Sequence, residues 1–184
     1  MADLSRDQLA DVLLQVYDAK KEAREFLDYF IEPDEQAALD KYKSVIIKEF
    51  RPTKGRAKRR VSVCRKAIKE FKVLQPSPQL VADLIVTYTE HLITHIVQNP
   101  YNCTPTQRNE FIQQLRFTAE YITCEGCAYE FNNRIDAIIA TTRFAGFGLA
   151  EEVSGFLQLT EKENTIVPLA TRAQKGRYRF FRRH

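Results

Sequence analysis

Tryptophan is absent from this chain and methionine occurs once; 184 residues hold only four cysteines, six glycines and seven prolines. Four cysteines are too few for a disulfide scaffold, and a chain of this length buries a core without such staples. No apolar run approaches the length of a membrane-spanning helix, so no membrane segment is expected. The stretch Met1–Asp11 holds three aspartates and no apolar core, so a secretory leader is not expected either. Reduced thiols and the lack of a leader make cytoplasmic residence the expectation. The phosphate-loop spacing, the nucleophile elbow, the zinc-protease motif and the dinucleotide fingerprint are all missing. No E-x-x-H pair of the di-iron bundle type occurs. No reaction or cofactor is implied, and the expectation is a non-enzymatic protein.

What is present is an ordinary globular composition, 44% hydrophobic and 28% charged, with charge sorted along the chain. Residues 1–40 carry 4 basic and 11 acidic side chains, whereas residues 41–75 carry 13 basic and 2 acidic. Residues 76–171 return to 5 basic and 11 acidic, and the last 13 residues hold 6 basic and none acidic. The overall charge is +4. Basic blocks of this kind either meet a polyanion or pair with acidic blocks of the same fold.

Glycine and proline fall between segments of helical periodicity, which predicts an all-α fold. Ser5 with Gln8 forms a capping box. It opens a helix to about Phe30, with a break near Tyr17, along which Leu9, Val12, Leu13, Val16, Phe26 and Phe30 recur at helical spacing. A second helix starts at Asp34 and ends before Pro52. A third is predicted over about 56–74, its stripe being Ala57, Val61, Cys64, Ile68 and Phe71. Ser77-Pro78 starts a fourth helix running to about Val97, apolar over most of its surface and therefore expected at the centre. Thr104-Pro105 starts a fifth, with a stripe of Phe111, Ile112, Leu115, Ala119 and Ile122. A sixth covers about 128–144 and a short helix follows around 149–159. The expectation is six to seven helices in an antiparallel bundle or a short stack of helical hairpins. Residues 1–160 are read as one helical domain and 161–184 as an irregular basic, aromatic tail. Ile47-Lys48-Glu49-Phe50 repeats at Ile68-Lys69-Glu70-Phe71, which shared helix chemistry explains more simply than a solenoid does.

The most informative segment is 51–72, with ten basic residues and one acidic residue, Glu70. On a continuous helix Arg59, Lys66 and Lys69 lie opposite the core stripe, and Lys58, Arg65 and Lys72 flank it. Such a face suits phosphate. Gly55 would place backbone N–H groups at the helix N-terminus, an anion site, although cations there oppose the helix dipole. The candidate nucleic-acid contacts are Arg51, Lys54, Arg56, Lys58, Arg59, Arg60, Arg65, Lys66 and Lys69. The competing reading lays the acidic first helix (Asp11, Asp18, Glu22, Glu25) alongside.

The tail adds Arg177, Tyr178, Arg179, Phe180, Phe181, Arg182 and Arg183. Arginines reach phosphates and the rings stack on bases; the same alternation also suits an acidic protein partner, the chain's own core or an added edge strand. Cys124-Glu-Gly-Cys127 is a lone C-x-x-C, and zinc needs four ligands. His91 and His95 are unsuitable partners, because hairpin geometry at about 1.5 Å per residue puts them roughly 20 Å away. The cysteines are read as small hydrophobes, the histidines as satisfied boundary residues, and no metal is expected.

The order Phe26-Leu-Asp-Tyr-Phe30, Lys48-Glu-Phe-Arg-Pro52, Gly55-Arg-Ala-Lys-Arg-Arg60, Ala67-Ile-Lys-Glu-Phe71 and Ala82-Asp-Leu-Ile85 resembles a family of small all-helical bacterial proteins of Bacteroidetes type, classed only as a domain of unknown function. The resemblance runs to about Glu125. It implies an all-helical fold and a bacterial origin and brings no activity with it. Neither the Cys124/Cys127 pair nor the Arg-aromatic tail belongs to that pattern. The functional expectation is a binding module for RNA or DNA; the alternative is a protein–protein interaction scaffold whose basic face meets an acidic partner.

Overall fold

A computed structural model describes residues 4–99, 103–146 and 148–154. Its helices are α1 (Arg6–Ala19), α2 (Lys21–Ile31), α3 (Glu35–Phe50), α4 (Val61–Val73), α5 (Pro78–Gln98), α6 (Pro105–Cys124) and α7 (Ala128–Thr142), with residues 149–154 helical again. No strand occurs among the described residues, and the fold is all-α.

Local chemistry sets the helix ends. Ser5 and Gln8 form the expected capping box, and Thr104, expected as the cap before Pro105, forms a second box with Gln107. Asp34 accepts from the backbone N–H of Ala37 at 2.8 Å and starts α3. Ser77 is the N-cap of α5, but its side chain serves another purpose: its hydroxyl donates to Glu35 Oε2 at 3.0 Å. The Ser77 backbone N–H donates to Glu35 Oε1 at 3.2 Å. One carboxylate in the first turn of α3 thus fixes the start of α5.

The fourth predicted helix is the hub. α5 packs against α3, α4, α6 and α7. Leu84, Ile85, Val86 and Tyr88 are fully enclosed on it, so a hydrophobic collar lies on every side. By length and composition alone α5 would also cross a membrane, which the absence of long apolar runs did not anticipate; here it forms the protein core. Facing it are Leu39, Ile46 and Phe50 of α3, Cys64, Ile68 and Phe71 of α4, and Phe111 and Leu115 of α6. Between α5 and α6 the Thr89 and Thr118 hydroxyls lie 2.9 Å apart.

Two expectations are corrected. The helix predicted from residue 56 begins at Val61, and residues 51–60 form a loop. Ala57 lies in that loop and Val61 is half-buried, so neither completes the core stripe. The reason is Glu49: this buried carboxylate takes the backbone N–H of Arg60 at 3.0 Å and its guanidinium at 2.6 Å, while the Glu49 carbonyl takes the Arg59 N–H at 3.0 Å. Arg59 sits at φ 54°, outside helical geometry. The chain break expected near Tyr17 falls at Lys20. There α2 folds back, so that the Tyr17 hydroxyl donates to Asp28 at 2.8 Å and Arg24 covers the Tyr17 ring.

Neither α1 nor α2 buries a residue completely. Leu9, Val12, Leu13 and Val16 share one face of α1 and are each 42–50% exposed. Asp7, Asp11 and Asp18 occupy the opposite face. The two helices form an arm, while the enclosed core belongs to α3–α7 and the turns beyond.

Candidate nucleic-acid interface

The basic segment divides into a loop and one flank of a helix. In the loop, Lys54, Arg56 and Lys58 are exposed and form no ion pair among the described residues. Gly55, at φ 83°, shapes the turn, since only glycine takes that conformation without strain. It stands well ahead of Val61, so its N–H groups do not open a helix as expected. Arg51 ends α3 and is exposed.

Arg59 and Arg60 are committed to the fold. The Arg59 NH1 lies 2.9 Å from His95 Nε2. Burial and the Arg59 charge both push the His95 pKa down, which favours the neutral ring, the form whose Nε2 can accept from the guanidinium. His91 is lowered likewise by burial and by Arg51, and its ring stacks on Phe50 at 6.0 Å between centroids. Arg60 chelates Glu49, whose carboxyl is held below the ordinary carboxylate range chiefly by that hydrogen bond.

On α4 the cations separate by helical phase. Lys66 faces outward and pairs with Glu70 at 3.4 Å. Arg65, Lys69 and Lys72 share the flank turned towards α6. With Ile68, Gln113 and Phe117 they line a groove of about 410 Å³. Both walls rest on α5, and their side chains meet at two points. Arg65 lies 3.7 Å from Glu110. Lys72 Nζ lies 4.3 Å from the Tyr121 ring centroid and 5.4 Å from that of Phe117. Burial against these rings pushes the Lys72 pKa down, partly opposed by Glu125. Lys69 forms no ion pair among the described residues. Phe117 remains 40% exposed.

The acidic first helix does not neutralise this surface. Asp18 pairs with Arg24, and Glu25 pairs with Lys41 and Lys21. Among the described residues no ion pair joins 51–72 to α1 or α2; the carboxylates that reach it are Glu49, Glu70 and Glu110. The tail candidates Arg177, Tyr178, Arg179, Phe180, Phe181, Arg182 and Arg183 lie outside the described residues. Cys124 is exposed and Cys127 buried, with its thiol pKa raised by burial. Burial drives the Cys64 thiol up to about 12, so it packs as a hydrophobe.

Sequence reasoning missed Phe117 and Gln113. Phe117 falls off the α6 core stripe that Phe111, Leu115 and Ile122 define, and an aromatic at such a phase next to Arg116 was the available signal.

A hub helix wrapped by four others, with a cation-flanked groove between two of them, defines an all-α protein with a surface site. The chain belongs to a family of unknown function, DUF6155, whose model matches residues 1–150. The match extends beyond the sequence resemblance, into α7 and the turn after it. Neither the curated proteins nor the solved structures contain a match to this chain.

Proposed function

We propose that this protein is a non-enzymatic, cytoplasmic binding module that contacts a nucleic acid mainly through phosphates. The observation that carries the reading is the run of exposed cations that form no ion pair among the described residues: Lys54, Arg56 and Lys58 in the loop, and Lys69 beside the groove. Exposed lysines and arginines at that density release condensed counterions when they meet a polyanion. The tail arginines are of the same chemistry.

The test is binding of labelled single-stranded RNA and duplex DNA as a function of salt. Affinity is expected to fall linearly on a log–log plot, with a slope of about −0.7 per phosphate contact for single strands and about −0.9 for duplex. Charge reversal at Lys54 and Lys69 together is expected to abolish binding. Absence of binding at low salt overturns the reading.

The alternative is a protein-interaction scaffold. The exposed apolar stripe of α1 favours it. Its signature is a partner retained after nuclease treatment and lost on Leu13→Asp.

A further inference from the structure

The α4–α6 groove combines features that simple phosphate attraction does not require. Its floor includes Ile68, nearly fully buried, and its far wall carries the exposed Phe117 ring and the Gln113 amide. Arg65 and Lys69 stand on the near wall, about 6 Å apart along the helix axis. Lys72 packs on Phe117 and Tyr121, so a cation stands beside the aromatic wall. A duplex presents phosphates and sugars outward and keeps its base faces stacked. Only an unpaired base offers a flat apolar face to a ring standing in the wall of a groove. Along the chain the cations continue ahead of α4 at the exposed Lys54, Arg56 and Lys58, which suits a ligand that carries several phosphates in series.

Resting on the nucleic-acid reading above, we infer that this groove receives an unpaired base of a single-stranded nucleic acid. The base stacks on Phe117, its edge meets the Gln113 amide, and Arg65 and Lys69 hold the flanking phosphates. Arg65 exchanges its Glu110 contact for phosphate, a charge-assisted pairing of the same kind.

The experiment compares a labelled oligouridylate, the matching oligodeoxythymidylate and a duplex of equal phosphate count, on the wild-type full-length protein, Phe117→Ala and Lys69→Glu. Circular dichroism and Tm confirm that each variant is folded, and Phe117→Tyr serves as the variant that keeps the ring. Single strands are expected to bind about ten-fold or more tightly than duplex, and Phe117→Ala to remove that preference. Phe117→Tyr restores it, and Lys69→Glu weakens every ligand. A 2-aminopurine base in the strand is expected to lose fluorescence on binding the wild type and not Phe117→Ala. Equal affinity for duplex and single strand, unchanged by Phe117→Ala, overturns the stacking site while leaving phosphate binding intact. No binding of any ligand at low salt overturns both. Oligouridylate and oligodeoxythymidylate binding alike gives a site for the stacked ring alone; a preference for one adds recognition of the 2′-hydroxyl or of the thymine methyl.

Discussion

Glu49 accepts three hydrogen bonds from Arg60, from its backbone N–H, its Nε and its NH2, at 3.0, 3.1 and 2.6 Å. A carboxylate at the end of α3 therefore decides where α4 begins, and it leaves residues 56–60, expected as the first turn of that helix, in the loop.

That relationship has a pH signature. The Glu49 pKa lies below the ordinary carboxylate range because Arg60 donates to it. A depressed carboxyl stabilises the fold above its unfolded pKa, about 4.3 for glutamate, and loses that contribution as pH falls through its folded value. Glu49→Gln is expected to lower Tm near neutral pH. The gap to wild type is expected to shrink steadily below about pH 4. Thermal melts across pH check this; a gap constant with pH contradicts it.

Arg134 ties α7 to the hub. It reaches Asp83 at 2.5 Å and grips Glu90 with Nε and NH2 at 2.7 Å each, while Lys43 of α3 meets Asp83 at 2.6 Å. The cluster pairs two cations with two carboxylates and is only partly exposed. Arg134→Leu is expected to cost about 1–2 kcal/mol, between an exposed and a buried pair. Arg134→Lys recovers little of this, because an ammonium cannot reproduce the two-pronged contact. Urea unfolding of both variants measures it.

The Tyr88 hydroxyl is enclosed in the core and has no hydrogen-bond partner among the described residues. An unsatisfied buried hydroxyl opposes folding. Tyr88→Phe is therefore expected to leave stability unchanged or raise it by about 1 kcal/mol. Chemical denaturation reads the sign, and a clear loss means that the hydroxyl is bonded in solution.

Arm and core separate in their response to substitution. Leu13 on α1 is 47% exposed, whereas Phe71 on α4 is fully buried. Leu13→Asp is expected to change stability by about 0.5 kcal/mol or less. Phe71→Ala is expected to cost about 3–5 kcal/mol by opening a cavity. A large effect at Leu13 indicates that the α1 stripe is covered in solution.

Much of the fold was legible in the residues. Ser5/Gln8, Asp34 and Thr104 mark helix starts because their side chains complete hydrogen bonds within three residues. The surrounded hub α5 follows from an apolar segment with few charges, which must place other helices on all its sides. The candidate site was only half legible. The cations of 51–72 are visible as charge, but helical phase alone placed Arg59 on a basic face, where His95 instead holds it. Phase also left Arg60 available for phosphate, and Glu49 takes it.

The sequence by itself determined the class of fold, the helix starts and the segregation of charge, because capping, periodicity and composition act over a few neighbouring residues. Only the tertiary structure decided which cations remain free, that acidic α1 stays away from them, and that Phe117 meets Arg65, Lys69 and Lys72 across a groove. Those outcomes depend on contacts such as Glu49–Arg60 and Lys72–Phe117, between residues well separated along the chain. How two helices rest on a third is set by packing of the whole core and by no local pattern.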